Sequence, residues 1–336
     1  MCRHLAYVGE PVSMRAILVD PPHGLTVQAW APRRQRHGVV NADGFGVGWY
    51  ASGDPVPARY RRAGPIWADE CFADLARVVR TNAMLGAVRS ATAGTDASAS
   101  AAAPYAHGRW LFSHNGALTG WSSATAGVAV SPDTAAGSIP DDARPGNAAP
   151  GHTAPGHTGP GHTGPAHTAP GHTAPGHTGP GHAAPGHAAP GHEASAGVHL
   201  LAAALPAADL LGLAARCDSA LIWAIVLGRL RSGADLAEAL AGTLGDLSAA
   251  GVAGRFNLLL TDGAAIAATA AGDSLCFRRE VAGVTVASEP YDNEAGWQDV
   301  PDGSVLEATP QQVTIQPLTR PVWYSGNAMA GTSTAV

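Results

Sequence analysis

The sequence predicts an α+β fold in which two β-sheets pack together and are covered by helices. Segments typical of β-strands stand at both ends of the chain, and segments with helical periodicity lie between them. Hydrophobic residues make up 46% of the 336 residues, which is enough apolar surface for a sizeable core. A long Gly-, His- and Pro-rich stretch in the middle of the chain cannot join that core, so the packed part is shorter than the chain length suggests.

The N-terminal part of the chain is predicted to alternate short strands with short helices. Strands are expected over residues 5–8, 41–50, 58–62, 84–88 and 110–113. Helices are expected over residues 12–19, with Ser13 or its neighbours as the cap, and over residues 67–79. The strands over 84–88 and 110–113 deliver polar residues at their ends, where binding sites are commonly built.

The middle of the chain carries a Gly/His/Pro-rich repeat. Nine histidines, from His152 to His192, recur every five residues. Proline at every fifth position prevents helices and sheet ladders, so we expect residues 122–198 to form a disordered insert. A neutral repeat produced by replication slippage is the favoured interpretation. Loose binding of Ni²⁺, Cu²⁺ or Zn²⁺ by the histidines is the alternative.

Beyond the repeat, helices precede a series of short strands. The helices are expected over residues 200–215, 218–231 and 234–244. The strands are expected over residues 255–261, 264–270, 274–279, 284–288, 304–308 and 313–317. Asp262-Gly263 is predicted to form the hairpin turn between the first two of these strands. Residues 319–336 are expected to be a disordered tail.

Composition excludes several classes of function. A net charge of −6 argues against a nucleic-acid surface. All twenty basic residues are Arg, which excludes P-loop, Schiff-base and Ser-Lys chemistry because each of these needs Lys. The four cysteines lie far apart without a Cys-x-x-Cys pair, which indicates neither a disulfide framework nor a zinc ribbon. We therefore expect no cofactor and no metal site.

The sequence also lacks the signals of membrane insertion. No basic-then-apolar leader opens it, and no run of about 18 uncharged apolar residues interrupts it. We therefore expect a cytoplasmic protein whose partner is a small molecule, and neither a nucleic acid nor a membrane.

Cys2 is the first candidate catalytic residue, because it directly follows Met1. Removal of Met1 would leave a thiol and a free α-amine on the same residue. Such an amine titrates at about 7.7–8.0, so it can act as the general base for its own thiol near neutral pH. The alternative interpretation is a small residue that stands second by accident.

Five features of the sequence then occur in a recognisable order. They are Cys2, the segment Asp43 to Trp49, Arg89 to Thr92, His114 to Gly116, and Asp218-Ser219. This order resembles that of the class II glutamine amidotransferases, which are N-terminal-nucleophile hydrolases. The resemblance implies a four-layer αββα sandwich of two mainly antiparallel sheets. It covers residues 2–121 and 199–318 as a single domain, and it does not extend to the repeat.

A finer match is to a stand-alone branch of this family that acts in ergothioneine biosynthesis. Four segments carry it: Cys2 to Leu5, Asp20 to His23, Arg33 to Gly38, and Ala287 to Asp292. This branch hydrolyses the γ-glutamyl amide bond of γ-glutamyl-hercynylcysteine sulfoxide and releases glutamate and hercynylcysteine sulfoxide. The resemblance therefore implies a small γ-glutamyl substrate, and it leaves the other enzymes of that pathway as candidate partners.

The resemblance also assigns roles to individual residues. Cys2 is the nucleophile, and the Asn115 side chain with the Gly116 backbone N–H forms the oxyanion hole. Arg89 binds the substrate α-carboxylate with Thr92 in support, and Asp218 pairs with the α-ammonium. His114 is expected to be structural, supporting Asn115.

Each assignment has a structural alternative. Arg89 could be a buried ion pair, Asn115-Gly116 a type I′ turn, and Asp218 a helix N-cap. The sequence also departs from the family where an Arg-Trp-Ala-Thr-His form is common, because Ser90 and Ala93 replace the aromatic residue and the histidine. No synthase domain follows.

Two other functions stay open at this point. One is a glutaminase subunit that supplies ammonia to a partner synthase. The other is a catalytically silent scaffold of this fold, or a His-rich metal-binding protein. For the leaving group, the sequence offers Trp30, Trp67 and Tyr291 as aromatic partners of a trimethylammonium. Arg34 or Arg36 is the candidate for its second carboxylate.

Overall fold

Two antiparallel β-sheets stack in the computed structural model, which describes residues 2–92, 94–121 and 190–319. The strands are β1 (Cys2–Ser13), β2 (Phe45–Trp49), β3 (Ala58–Arg62), β4 (Arg80–Arg89), β5 (Tyr105–His107), β6 (Trp110–Leu118), β7 (Gly254–Thr261), β8 (Ile266–Ala270), β9 (Cys276–Glu280), β10 (Gly283–Ala287), β11 (Gln298–Asp299), β12 (Ser304–Ala308) and β13 (Val313–Pro317). The first sheet has the order β11-β9-β10-β1-β4-β2-β3, and the second has the order β13-β12-β8-β7-β6-β5.

Helices cover the outer face of each sheet. They are α1 (Met14–Leu18), α2 (Leu25–Gln28), α3 (Phe72–Val78), α4 (Pro190–Ala204), α5 (Ala207–Leu211), α6 (Asp218–Arg231) and α7 (Leu236–Ala249). The first three pack on the first sheet, and α6 and α7 pack on the second. The predicted α+β class, with two helix-covered sheets, is confirmed.

The alternation of side chains along β1 shows how the layers form. Leu5 and Tyr7 join the core between the first sheet and its helices. Ala6 and Val8 join the core between the two sheets, where they meet Leu259 of β7. Because successive side chains of a strand point to opposite faces, a strand between two apolar layers has no polar side. This explains why Leu5 to Val8 in β1 form a continuous apolar run.

Several predicted elements have the observed bounds, but among the helices only Asp218–Arg231 does. The helices expected over 12–19 and 234–244 are observed over Met14–Leu18 and Leu236–Ala249. The helix expected over 67–79 begins only at Phe72, with Cys71 as its N-cap, because Ile66–Ala68 form a separate 3-10 turn and Asp69 Oδ1 accepts hydrogen bonds from the backbone nitrogens of Cys71 and Phe72. The helix expected over 200–215 is divided into α4 and α5 at Pro206, whose ring nitrogen cannot donate. Helix α4 begins at Pro190, before the predicted end of the insert at residue 198.

Three short elements were not predicted from the sequence. Strands β5 and β11 have three and two residues, and α2 has four, which is too few for periodicity to register. The rest of the predicted insert and nearly all of the predicted tail lie outside the described residues. Within the described ranges, no helix has the length and apolar character needed to cross a membrane.

Candidate active site

The pairing of β1 with β4 places Cys2 directly opposite Arg89. Residues opposite each other in an antiparallel pair have Cβ atoms about 4.5–5.5 Å apart. Cys2 is partly exposed at the first position of its strand, whereas Arg89 is buried at the last position of β4. The register of this strand pair therefore brings Cys2, the predicted nucleophile, next to Arg89, the residue predicted to bind the substrate carboxylate.

Asn115 connects the second sheet to Cys2. Its Oδ1 accepts a hydrogen bond of 3.1 Å from the backbone nitrogen of Cys2. Its Nδ2 is buried and has no hydrogen-bond partner among the described residues. An unpaired buried donor is costly in a folded protein, so it indicates a group that a ligand is meant to satisfy.

Gly116 allows β6 and β7 to approach closely next to this donor. A Cβ atom at Gly116 would lie 1.9 Å from the carbonyl oxygen of Arg255 and 2.5 Å from Nε2 of His114. No side chain fits in that space. Both Asn115 and Gly116 lie inside β6, paired with β7, so the alternative interpretation as a type I′ turn is wrong.

His114 ties β6 to the start of α6. Its Nε2 lies 2.9 Å from the carbonyl oxygen of Arg255, and its Nδ1 lies 3.0 Å from Oγ of Ser219. Burial lowers the pKa of His114, which favours the neutral ring. The neutral tautomer that fits donates from Nε2 to the carbonyl and accepts at Nδ1 from the Ser219 hydroxyl. In this role His114 holds the strand that carries Asn115.

Arg89 is a buried guanidinium that no carboxylate neutralises among the described residues. Its Nη2 donates to Oγ1 of Thr95 at 2.9 Å, and its Nη1 lies 3.4 Å from the carbonyl oxygen of Asp43. The Asp43 carboxylate is occupied elsewhere, accepting from the backbone nitrogen of Ala91. The alternative interpretation of Arg89 as a buried ion pair is therefore wrong for the described part of the chain.

Asp218 is the opposite case, a buried carboxylate without a cationic partner among the described residues. Its oxygens accept from the backbone nitrogens of Leu118 at 3.2 Å and Ser219 at 2.8 Å. It is the first residue of α6, and the N-cap is Cys217. The interpretation of Asp218 as a mere N-cap is therefore wrong.

Arg89 lines a pocket together with Cys2, Tyr105, His114 and Ser219, the residue that follows Asp218. Burial raises the pKa of Tyr105, and the Asp218 carboxylate adds to this while the Arg89 guanidinium opposes it. The hydroxyl of Tyr105 contacts Sγ of Cys217 at 3.1 Å. A buried cation and a buried anion near one another, without partners of their own, match the carboxylate and ammonium of an α-amino acid.

Thr92 supports Arg89 only indirectly. Thr95 supplies the hydroxyl that accepts from Arg89, and it donates in turn to the carbonyl oxygen of Thr92 at 2.6 Å. No hydrogen bond of the Thr92 side chain is observed among the described residues. Thr95 was missed by the sequence analysis; its signal is a hydroxyl three residues after Thr92, a spacing that suits a turn closed by a side chain.

The segments of the finer resemblance meet around Glu289 rather than around the amino-acid pocket. The fully buried carboxylate of Glu289 accepts from the backbone nitrogens of Arg33 at 3.0 Å and Arg34 at 2.8 Å. It also lies 3.8 Å from Nη1 of Arg3, whose Nε donates to the carbonyl oxygen of Cys2 at 2.9 Å. Glu289 therefore links the nucleophile to the segment Arg33 to Gly38, which we call the arginine loop.

The arginine loop is fixed at further points. The Arg33 side chain donates to the carbonyl oxygen of Pro290 at 2.6 Å and to Asn293 at 3.0 Å. The backbone nitrogen of His23, in the Asp20 to His23 segment, donates to the carbonyl oxygen of Tyr291. The sequence analysis had used Glu289 only as part of a pattern, and its anchoring role needed the three-dimensional contacts.

His4 is a buried neutral side chain behind Cys2. Its Nδ1 lies 3.1 Å from Oγ of Ser113, and its backbone nitrogen donates to Oγ of Ser288. Burial, together with the positive charge of Arg3, lowers the pKa of His4 to about 3. His4 therefore joins the two sheets without carrying charge at neutral pH.

The described part of the chain contains no evident metal site. Among the described residues, no group of three or more His, Cys, Asp and Glu side chains is arranged to hold a metal ion. The histidine repeat, the one stretch for which loose metal binding was considered, lies almost wholly outside these residues.

Comparison with known proteins agrees with this geometry. Residues 16–132 match the family model described as class-II glutamine amidotransferases. The chain is 32% identical over 320 residues to a γ-glutamyl-hercynylcysteine sulfoxide hydrolase of Mycobacterium tuberculosis, covering 95% of this chain and 98% of that protein. It is 30% identical to the protein of the same name from Mycolicibacterium smegmatis, covering 95% of this chain and 100% of that protein.

Solved structures share the fold at low sequence identity. A glutamine aminotransferase class-II domain protein from Silicibacter pomeroyi has a TM-score of 0.54 and 17% identity, over 95% of this chain and 100% of that one. The glutamine phosphoribosylpyrophosphate amidotransferase of B. subtilis has a TM-score of 0.50 and 12% identity, over 96% of this chain and 50% of that one. At these identities the comparison confirms the predicted fold alone.

Proposed function

The chain belongs to the class II glutamine amidotransferase family, and on that premise we propose that it hydrolyses the γ-glutamyl amide bond of γ-glutamyl-hercynylcysteine sulfoxide. The products are glutamate and hercynylcysteine sulfoxide. Two mycobacterial relatives that match nearly the whole chain carry this activity in their names. We further infer that the protein acts in ergothioneine biosynthesis, in the cytoplasm, beside the other enzymes of that pathway.

The observation that carries the proposal is the pair of unmatched buried charges, Arg89 and Asp218. A γ-glutamyl group ends in a free α-carboxylate and a free α-ammonium. Arg89 offers a planar fork to the carboxylate, and Asp218 offers an acceptor to the ammonium. With both ends held, the γ-carbonyl of the substrate is directed toward Cys2, the residue opposite Arg89.

The first half of the reaction acylates Cys2. Removal of Met1 frees the α-amine, which takes the proton of the thiol as Sγ attacks the γ-carbonyl carbon. The C–S bond forms, and negative charge develops on the carbonyl oxygen. The unpaired Nδ2 of Asn115 and the backbone N–H of Gly116 stabilise that oxygen, at about 2.7–4 kcal/mol for each donor. The C–N bond then breaks, and the α-ammonium of Cys2 gives its proton to the departing nitrogen.

The second half of the reaction releases glutamate. A water molecule gives a proton to the α-amine and attacks the thioester carbon, the same two donors hold the second oxyanion, and the C–S bond breaks. The hydrogen bond between the Cys2 nitrogen and Oδ1 of Asn115 keeps the base in place through both halves.

A covalent trap tests this chemistry. The diazo-ketone analogue of glutamine should add to Cys2 and raise the intact mass by the weight of the analogue less N₂. Peptide mapping should place the adduct on Cys2, and excess glutamate should slow its formation. Cys71→Ser is the matched control, because Cys71 is an exposed thiol at the start of α3 and no role in the reaction is proposed for it. An adduct on Cys71, or a Cys2 that stays unmodified, would contradict the proposal.

A further inference from the structure

A cleft of about 640 Å³ lies along the arginine loop. This lies within the range of about 300–1,000 Å³ that takes drug-sized ligands, and it far exceeds the roughly 30 Å³ that one water occupies. The cleft is lined by Arg33, Arg34, Gln35, Arg36, Gly272, Asp273, Ser274, Leu275, Asp299, Val300 and Asp302.

Two chains of contacts connect the cleft to Cys2. Asn257 lies directly opposite Asn115 on the neighbouring strand, and its side chain holds Asp273 by hydrogen bonds to both backbone groups. On the other side, Arg3 binds the carbonyl oxygen of Cys2, and its pKa responds to the charge of Asp273. Asp273, which lines the cleft, is thus connected to the nucleophile through Asn257 and Asn115 on one route and through the charge of Arg3 on the other.

The arginine loop joins the cleft to the amino-acid pocket. Its first residues line the cleft, while at its other end a Cβ on Gly38 would lie 3.7 Å from Oγ of Ser90, next to Arg89. A substrate whose glutamyl end is bound by Arg89 and Asp218 would therefore place its leaving group along this loop.

The three arginines of the loop are not equivalent. Arg33 is committed to Pro290 and Asn293, and Arg34 forms an ion pair with Asp299. Arg36 is exposed, and no ion pair or hydrogen bond of its side chain is observed among the described residues. Of the two candidates from the sequence, Arg34 and Arg36, only Arg36 keeps a guanidinium available for a carboxylate.

The opposite wall of the cleft is acidic and not aromatic. The Asp273 side chain is 1% exposed, and neither of its oxygens has a hydrogen-bond donor, although Nε of Arg255 lies 3.3 Å away. Trp30, Trp67 and Tyr291 are all absent from the lining. Tyr291 is enclosed by Trp297 and Arg278, so it has no free face for a trimethylammonium.

Asp273 is not a free anion. It forms an ion pair with Arg255 at 3.3 Å, and burial raises the pKa of its carboxyl group. The charge that the cleft offers to a ligand is therefore the guanidinium of Arg36 on the arginine loop.

We propose that this cleft is the leaving-group subsite and that Arg36 is the residue that binds a leaving-group carboxylate. The inference rests on the proposed function and adds its specificity determinant. The leaving group of the proposed substrate carries two carboxylates, and Arg36 is the guanidinium that the arginine loop leaves available for one of them.

Steady-state kinetics of Arg36→Gln tests the assignment. Loss of one charge-assisted hydrogen bond should lower kcat/KM for γ-glutamyl-hercynylcysteine sulfoxide by about 10- to 100-fold. Hydrolysis of glutamine, which has no charged leaving group, should stay within about twofold of wild type. Arg77→Gln is the matched control, an exposed arginine on α3 paired with Asp74, and it should change neither rate.

A second measurement does not depend on turnover of the sulfoxide. Histidine betaine, used as an inhibitor of glutamine hydrolysis, should bind wild-type protein and bind Arg36→Gln at least about tenfold more weakly.

The outcomes separate the inference from the function on which it rests. Wild-type protein that turns over glutamine but not the sulfoxide would overturn the proposed function. Wild-type protein that turns over the sulfoxide, with Arg36→Gln unchanged in both kcat/KM and betaine inhibition, would overturn the cleft assignment alone. An equal loss on sulfoxide and glutamine would also overturn it, because Arg36 would then act on the glutamyl side or on folding.

Discussion

Oδ1 of Asn115 lies 3.1 Å from the backbone nitrogen of Cys2. The other end of the same amide, Nδ2, is buried and has no partner among the described residues. One side chain therefore orients the nitrogen that would act as base and offers a donor where an oxyanion would form. The two halves of the amide thus serve the two halves of the proposed catalysis.

The first prediction separates these two tasks. Asn115→Asp keeps an acceptor for the Cys2 nitrogen but removes the donor, so kcat should fall by about 10²–10³-fold with little change in KM. Asn115→Ala should lose at least as much. Circular dichroism and thermal unfolding would check that both variants fold. An Asn115→Asp enzyme within about tenfold of wild type would exclude Asn115 as an oxyanion donor.

The second prediction concerns the Arg89 clamp. Arg89→Gln should lower kcat/KM by about 30-fold or more, since truncating one partner of a buried charge pair costs about 2–5 kcal/mol. A substrate whose α-carboxylate is converted to an amide should show no such difference between wild type and variant. If the variant were equally impaired on both substrates, Arg89 would be acting on the fold and not on the carboxylate.

The third prediction follows from the amine as base. An uncleaved extension ahead of Cys2 turns the amine into an amide, so turnover should be abolished as completely as by Cys2→Ala. Proteolytic removal of the extension to expose Cys2 should restore the rate, and Edman degradation or intact mass would verify the terminus. Full activity of a protein that retained its extension would contradict the mechanism.

The fourth prediction concerns acid stability. In the unfolded chain His4 has its ordinary pKa of 6.5, whereas burial in the fold lowers it to about 3. Between these values the unfolded state binds one more proton, so the free energy of unfolding falls as the pH falls, by up to about 1.4 kcal/mol per pH unit. Urea unfolding from pH 6.5 to 4 measures this slope. His4→Gln should reduce it, and an unchanged slope would mean that His4 is already charged in the fold.

The fifth prediction concerns thiol reactivity. Burial raises the pKa of Cys217 and of Cys276, whereas Cys71 is exposed and Cys2 is partly exposed. Iodoacetamide at pH 7.5 should therefore modify Cys71 and Cys2 in the folded protein and leave the other two thiols intact. Peptide mass spectrometry reads out all four sites. Early alkylation of Cys217 would contradict this prediction, because it would show that the fold around Cys217 and Asp218 opens readily.

Much of the fold could be predicted from the sequence because its elements repeat short, regular signals. The bounds Ala58–Arg62, Asp218–Arg231 and Val313–Pro317 were predicted as observed. The failures have local causes that periodicity does not carry. Asp69 forms a turn with Cys71 and Phe72 that delays the start of one helix, and Pro206 divides another. β6 continues through Asn115 because β7 lies alongside it, which no local pattern records.

The candidate site divides in the same way. Cys2, Arg89, Asn115, Gly116 and Asp218 stand in motifs that the resemblance could carry. The structure places Cys2 opposite Arg89 and within hydrogen-bond distance of Asn115, while the catalytic and binding roles of these residues stay predictions. Contacts between distant segments were not predictable from one sequence. Glu289 acquires its part only through partners elsewhere in the fold. The choice between Arg34 and Arg36 likewise depended on the ion pair of Arg34 with Asp299.

The most direct test of the account is the release of glutamate by purified wild-type protein from γ-glutamyl-hercynylcysteine sulfoxide and from glutamine, measured side by side with Cys2→Ala as the blank. The leaving group of the sulfoxide supplies binding energy that ammonia lacks. We predict that kcat/KM for the sulfoxide exceeds that for glutamine by orders of magnitude and that Cys2→Ala releases no glutamate from either. Comparable values for the two substrates would contradict the account and identify an ammonia-supplying glutaminase.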